Sequence, residues 1–167
     1  YYTENGEVVK TDTVAKNKNG WWVIRDGKVD FTYNGFAENK NGWWYCKGGK
    51  VQFDVNSIIQ GTVNGESGWW HVVGGKVVFD TTVANNQNGW WYCDANGKVD
   101  FSMNTVAKNQ NGWWVIQNGK VNFGYNGLAS NKFGTWKITN GKVTFQDNGV
   151  IKVGNDWYHV QGSAVVK

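Results

Sequence analysis

At 167 residues and a formal net charge of +4, the chain has no basic run of the kind that grips nucleic acid, because its recurring lysines alternate with Asp, Asn and Gln. No apolar run is long enough to cross a bilayer as a helix, so no membrane insertion is expected, and two Cys with two His offer no ligand-spaced metal cluster or cofactor signature. The composition instead stresses 12 Trp and 23 Gly with no Pro, an aromatic load that serves packing, binding or both.

Residues 1–8 match the second half of a pattern that then recurs, so the chain opens in mid-repeat, as expected of a segment of a longer protein. The first complete copy spans residues 19–31: Gly20-Trp21-Trp22, an alternating stretch, the dipeptide Asp26-Gly27, then Lys28-Val29-Asp30-Phe31. Copies follow at residues 41–53, 67–79, 88–101 and 111–123; residues 133–145 keep one Trp of the pair, and residues 155–166 are a worn last copy. The turn glycines Gly6, Gly27, Gly49, Gly75, Gly97, Gly119, Gly141 and Gly162 stand about 21 to 23 residues apart with one longer step. Such a period marks a repeat array. Residues 1–167 read as a single array of about eight β-hairpin repeats, which no isolated hairpin could match in stability.

Within each copy the hydrophobic period is two. Asp26-Gly27, Gly48-Gly49, Gly74-Gly75, Asn118-Gly119 and Asn140-Gly141 are hairpin dipeptides, because both central positions of the tight turn need φ > 0. In the first copy this pairs Arg25 with Lys28, Ile24 with Val29, Val23 with Asp30 and Trp22 with Phe31. Alternation then places Trp22, Ile24, Val29 and Phe31 on one face, the expected core, with Trp21, Val23 and Asp30 on the other. The core-face aromatic of successive copies is Tyr1, Trp22, Trp44, Trp70, Trp91, Trp114, Trp136 and Trp157. The fourth copy has one extra residue in Asp94-Ala95-Asn96-Gly97; a three-residue loop ending in a left-handed Gly keeps Cys93 opposite Val99. Cys46 and Cys93 stand where Ile24 and Ile116 stand, and so read as small buried hydrophobes. Lys28, Lys50, Lys76, Lys98, Lys120 and Lys142 follow the turn glycines and are expected to keep a strand-rich surface soluble. Upstream of each Trp pair, segments such as Val14-Ala15 and Phe36-Ala37 predict a short strand leading to the next hairpin, whereas residues 55–67, with about four extra residues, predict an enlarged loop. No helical periodicity appears, and the fold expected is all-β: tandem β-hairpin repeats stacked as a β-solenoid.

Glycine before a paired aromatic, a short strand, a turn glycine and a second strand, repeated near 20 residues, resemble the bacterial cell-wall-binding repeats. That superfamily includes choline-binding repeats of Gram-positive surface proteins, glucan-binding repeats of glucosyltransferases and C-terminal repeats of clostridial toxins. The resemblance covers essentially the whole chain. It implies a left-handed solenoid and a non-catalytic module, secreted or on the bacterial surface, that attaches a larger protein to cell-wall polysaccharide, a glucan, a host glycan or choline. Choline-binding repeats usually carry Gly-Trp in the connection and a separate Trp-Tyr-Tyr run; here the aromatics are fused, with the longer run only at Trp43-Trp44-Tyr45 and Trp90-Trp91-Tyr92.

The candidate ligand-binding residues are Trp21, Trp43, Trp69, Trp90 and Trp113, which recur at one position of the second face, with Tyr45 and Tyr92 two residues further on. Exposed rings in such a row suit a sugar's apolar face or a quaternary ammonium, and weak copies add up on a polymeric ligand. The alternative is that this face packs on the next repeat. Trp136 and Trp157 follow Thr135 and Asp156 rather than Trp, so the C-terminal end is expected to bind less. No catalytic residue is expected: His71 and His159 stand in unlike settings, and the carboxylates recur as solvated strand positions. A second functional reading is an adhesin or spacer whose variable surface binds a host protein, with residues 55–67 as its likeliest contact.

Overall fold

The computed structural model describes residues 1–167 and contains strands and turns but no helix. Its contacts group into two units, residues 1–79 with 96–98, and residues 80–95 with 99–167. The first unit holds the short pair Thr3–Glu4 and Glu7–Val8 and a nine-stranded sheet; the second holds two five-stranded sheets. The architecture in each is the tandem β-hairpin stack of a β-solenoid.

Each repeat is a three-strand meander. Thr13–Asn17 runs antiparallel to Gly20–Arg25, which turns at Asp26-Gly27 into Lys28–Val29. Gly35–Asn39, Gly42–Lys47 and Lys50–Val51 repeat the plan, as do Thr105–Asn109, Gly112–Gln117 and Lys120–Val121 in the second unit. The apolar-Ala segments are therefore hairpin strands, as their pattern predicts. The turn dipeptides adopt left-handed backbone at both positions, for example φ 48° and 78° at Asp26-Gly27 and 50° and 79° at Asn118-Gly119, the geometry that matches the twist of the flanking strands. In the fourth copy Gly97 is left-handed (φ 76°) and Cys93 faces Val99, so the longer loop absorbs its extra residue without shifting the register.

Arg25 pairs with Lys28 and Ile24 with Val29 as expected, and the Asp30 N–H donates to the Val23 carbonyl at 2.9 Å. The ladder then departs from expectation. Trp22 pairs with Lys50 of the next repeat rather than with Phe31, and the Val23 N–H donates to the Gly49 carbonyl at 2.7 Å. Trp44 with Lys76, Trp70 with Lys98, Trp91 with Lys120 and Trp114 with Lys142 follow suit. One edge of each Trp strand is thus shared: its last residues bond their own hairpin partner, and its middle bonds the next repeat's turn. Gly49 is needed there twice over. Its φ is +76°, and a Cβ would stand 2.2 Å from the Asp30 carbonyl oxygen.

This shared edge brings opposite faces of successive repeats together. Val14 and Val23, with Trp21, pack on Ala37, Cys46 and Val51, with Trp44. Phe36, with Trp43 and Tyr45, packs on Val63, Trp70, Val72 and Val77. In the second unit Val83, with Trp90 and Tyr92, meets Ala107, Ile116 and Val121, and Val106 and Val115, with Trp113, meet Ile138 and Val143. The core is a series of seams between repeats, and each seam consumes both faces of the alternation. Cys46 lies in one of these seams, and both Cys46 and Cys93 are fully buried and outside any disulfide, as small hydrophobes.

Two expectations fall here. The Phe that closes each copy is exposed, 66 % at Phe31 and 43–50 % at Phe53, Phe79, Phe101, Phe123 and Phe145, because the next repeat's turn takes the place opposite Trp that the hairpin register had assigned to it. Residues 55–67 form no enlarged loop. They extend the hairpin into Ser57–Val63 and Glu66–Val73, closed at Asn64-Gly65 (φ 52° and 78°). Ile58 and Val63 are buried there, so the added residues lengthen a strand with an apolar face.

Candidate binding site at the aromatic seams

The strand Gly112–Gln117 shows how each Trp pair is held. The second indole, Trp114, donates its Nε1–H to Asn109 Oδ1 at 3.0 Å, and the same oxygen accepts the Asn111 N–H at 2.9 Å in the tight turn. Asn17, Asn39, Asn86 and Asn131 hold Trp22, Trp44, Trp91 and Trp136 in the same way at 2.9–3.1 Å. The exposed Phe of the copy meets each of these indoles edge-on, with centroids 5.5–5.8 Å apart. That geometry sets the positive ring edge against the negative indole face.

The lysines after the turn glycines do more than solubilise the surface. Lys50, Lys76, Lys98, Lys120 and Lys142 place Nζ 5.1–5.9 Å from the ring centroids of Trp22, Trp44, Trp70, Trp91 and Trp114. Each ammonium stands where a bound cation would be attracted by the ring quadrupole. The lysine stems also explain the glycine before each Trp pair: a Cβ on Gly20, Gly42, Gly68, Gly89 or Gly112 would stand 2.5–2.8 Å from the lysine Cε.

At the sixth step the pattern breaks. Trp136 pairs with Ala164, which has no ammonium to offer, and a Cβ built on Gly134 would meet nothing within 4 Å. Between Trp136 and the preceding repeat, an apolar cleft of about 330 Å³ opens among Val106, Trp113, Phe133, Trp136, Val143 and Phe145. One seam earlier the equivalent rings are closed on each other: Trp90 lies 5.3 Å from Trp114 and 5.7 Å from Phe123. In the open seam Trp113 instead meets Phe133 edge-on at 6.1 Å. Phe133 stands where four of the five earlier copies have Asn and the third has Ser67, and Ala164 stands where the earlier copies have Lys. These two departures were visible in the sequence, but their meaning depends on knowing that residue 164 lies beside Trp136.

Of the residues singled out by the sequence, Trp113 lines this cleft, while Trp21, Trp43 and Trp90 are half-buried against the seam clusters. Trp69 is also half-buried. Tyr45 meets Phe36 at 5.8 Å, and burial pushes the Tyr92 phenol above its ordinary range. The recurring carboxylates have structural partners: Asp30 accepts the Thr32 hydroxyl at 2.6 Å and its N–H at 2.9 Å, and Asp100 does the same with Ser102. These bonds hold both carboxyls below their usual range. No three His, Cys, Asp or Glu side chains gather as a metal site would require.

The sequence profile of the choline-binding repeat matches residues 10–30, 32–52, 60–78, 79–100 and 102–122, together more than half of the chain. Among curated proteins, none matches the sequence. Solved structures similar to the chain include an alternansucrase in complex with isomaltononaose (18 % identity, TM-score 0.47, covering 93 % of this chain and 12 % of that one). Another is CbpF in complex with ipratropium (16 % identity, TM-score 0.37, covering 93 % and 54 %). A third is a multimodular pneumococcal cell wall endolysin from phage Cp-1 complexed with choline (20 % identity, TM-score 0.38, covering 84 % and 39 %). The chain therefore spans less than two thirds of the length of each of these proteins.

Proposed function

The chain belongs to the choline-binding repeat family, whose members are binding modules and not enzymes, and from that premise we propose that it attaches a larger protein, secreted or on a Gram-positive cell surface, to cell-wall or extracellular glycan through aromatic sites. The observation that carries this reading is the open cleft at Trp113, Phe133, Trp136 and Phe145, where four rings surround a space that a choline headgroup or the apolar face of a sugar fills. Choline substituents on a wall polymer are the favoured ligand, because each of the five preceding Trp has a lysine ammonium from the next repeat over its ring, whereas Trp136, paired with Ala164, has none. The residues proposed to bind are thus Trp113 and Trp136 first. Trp21, Trp43, Tyr45, Trp69, Trp90 and Tyr92 contribute to a longer glycan only where their seams expose an edge.

The test is retention of the chain on purified choline-bearing cell walls, with free choline as competitor, for the wild type, Ala164→Lys and Trp136→Ala. Ala164→Lys copies the residue of the other steps, so it should fold normally and weaken retention by about tenfold, in keeping with a cation–π contribution of about 1–2 kcal/mol. Trp136→Ala should lose choline-sensitive retention. Undiminished retention of Ala164→Lys would sink the lysine-free Trp136 ring as the cation site, undiminished retention of Trp136→Ala would sink the cleft, and no retention of the wild type would favour a spacer or a host-protein adhesin.

A further inference from the structure

A second groove lies in the first unit, at a place in the repeat that neither the Trp–Lys stacks nor the open cleft occupies. It has a volume of about 370 Å³, and Asp12, Arg25, Tyr33, Glu38, Trp43 and Thr62 line its rim over the apolar residues Val23 and Phe36. We infer that this groove is a subsite for a neutral pyranose oligosaccharide. The inference rests on the reading of the chain as a glycan- or choline-binding module, and it specifies a neutral sugar at a site separate from the open cleft.

The chemistry of the rim fits a sugar. A pyranose presents an apolar face, which takes an aromatic ring, and a girdle of hydroxyls, which needs donors and acceptors at fixed positions. Trp43 supplies the ring, and its indole N–H donates to Asn64 Oδ1 at 3.2 Å, which fixes its orientation. Glu38 stands directly opposite Trp43 in the strand pair and offers acceptors beside that ring. The Arg25 guanidinium is stacked 4.6 Å over the Tyr33 ring, so its planar fork of donors is positioned before any ligand arrives. Asp12 is held by the Asp26 N–H at 2.7 Å, and the Tyr33 hydroxyl donates to the Phe36 carbonyl. Two carboxylates against one guanidinium give the groove a surplus negative charge, which discriminates against uronic acids, sialic acids and phosphate-bearing polymers.

The same groove recurs in the second unit with its chemistry removed. Asn104 stands for Asp12, Gln117 for Arg25, Tyr125 for Tyr33 and Ser130 for Glu38, over Val115 and Ala129. Thr135 takes the place of Trp43, and the volume falls to about 170 Å³. The fold therefore provides the groove at this position of the repeat, and the side chains decide whether it is charged and walled by an aromatic ring. The molecule contains its own control.

The experiment uses the full chain, with ¹H–¹⁵N spectra of the Trp indole and backbone amides during titration with maltotriose, with chitotriose and, separately, with choline. At least one oligosaccharide should shift Trp43 and residues around Glu38, and leave Ser130 and Gln117 unmoved. Arg25→Gln with Glu38→Ser, which installs the residues of the second groove, should weaken that binding by about tenfold or more, because two charge-assisted hydrogen bonds are lost. The complementary Gln117→Arg, Ser130→Glu, Thr135→Trp variant should gain a second site, and it tests the inference even where the first variant does not fold. Wild-type affinity in the Arg25/Glu38 variant, shifts confined to Trp113 and Trp136, or no response to either oligosaccharide would overturn the inference. In each of these cases choline-sensitive retention on cell walls would leave the preceding reading intact.

Discussion

The amide of Asn109 accepts the Asn111 N–H and the Trp114 indole N–H on its oxygen, while its own N–H donates to the Val83 carbonyl of the preceding repeat at 3.2 Å. Asn39 and Asn131 make the same three connections, reaching Val14 and Val106 at 3.0 Å. A single side chain thus closes a turn, fixes an indole and ties one repeat to another. Asn109→Ala leaves a part-buried indole donor and a carbonyl without partners, and should cost about 2 kcal/mol in urea unfolding, with a matching change in near-ultraviolet dichroism from the freed Trp114. An unchanged unfolding midpoint would mean that water replaces the amide without loss. In the sequence this asparagine stands in the run Lys108-Asn109-Gln110-Asn111, with nothing local to single it out. Its reach to the previous repeat is a contact of some 25 residues in separation, which no local pattern reveals.

The hairpin of Ser57–Val63 and Glu66–Val73 was legible as an insertion and misread as a loop. The added length alone fits a loop, and it is the Asn64-Gly65 dipeptide with the apolar positions Ile58 and Val63 that makes a hairpin of it. Its inner contact is close. A Cβ on Gly61 would stand 2.7 Å from the Phe36 ring, and the Gly61 carbonyl accepts the Trp70 indole N–H at 2.9 Å. Gly61 is not left-handed, so Gly61→Ala tests packing alone. The substitution should destabilise the first unit by about 1–3 kcal/mol as Phe36 is displaced, read as a lower urea midpoint. A neutral or stabilising result would show that the Phe36 ring has room to turn away. Elsewhere the turn dipeptides determined the hairpins correctly, because φ > 0 at two successive positions leaves little else for those residues to do.

Across the whole chain the repeat and the register next to each turn were readable in advance, whereas the pairing of each Trp with the following repeat, and the burial that follows from it, were not. A period of two defines two faces but not which of them is covered, and here each is covered by the opposite face of a neighbouring repeat. Cys46 in the first unit and Cys93 in the second report on this packing, because burial pushes both thiols from an ordinary 9.0 up to about 12. A raised folded-state pKa means that the associated stability is complete below about pH 9 and is lost as pH rises toward about 12, where the unfolded thiolates are favoured. Native chain at pH 8 should therefore resist alkylation by iodoacetamide at both thiols, and urea midpoints should fall between pH 9 and pH 11. Rapid labelling of folded chain at pH 8 would contradict the burial of these groups. Each thiol is labelled as its own unit opens, so mass spectrometry assigns the two events separately.

The edge that each Trp strand shares with the following turn has a consequence for how such chains change length. A repeat inserted by gene duplication brings its own glycine turn and leaves a new half-edge open, so the register of its neighbours need not be rewritten. The residue that follows the two-residue turn then sets the charge facing the ring. A copied unit with lysine there supplies its own counter-charge to the ring behind it, as Lys142 does for Trp114, whereas a unit with alanine there, as at Ala164, leaves the ring without one. The number of units and the charge over each ring are in this way inherited independently, the second through one side chain in each.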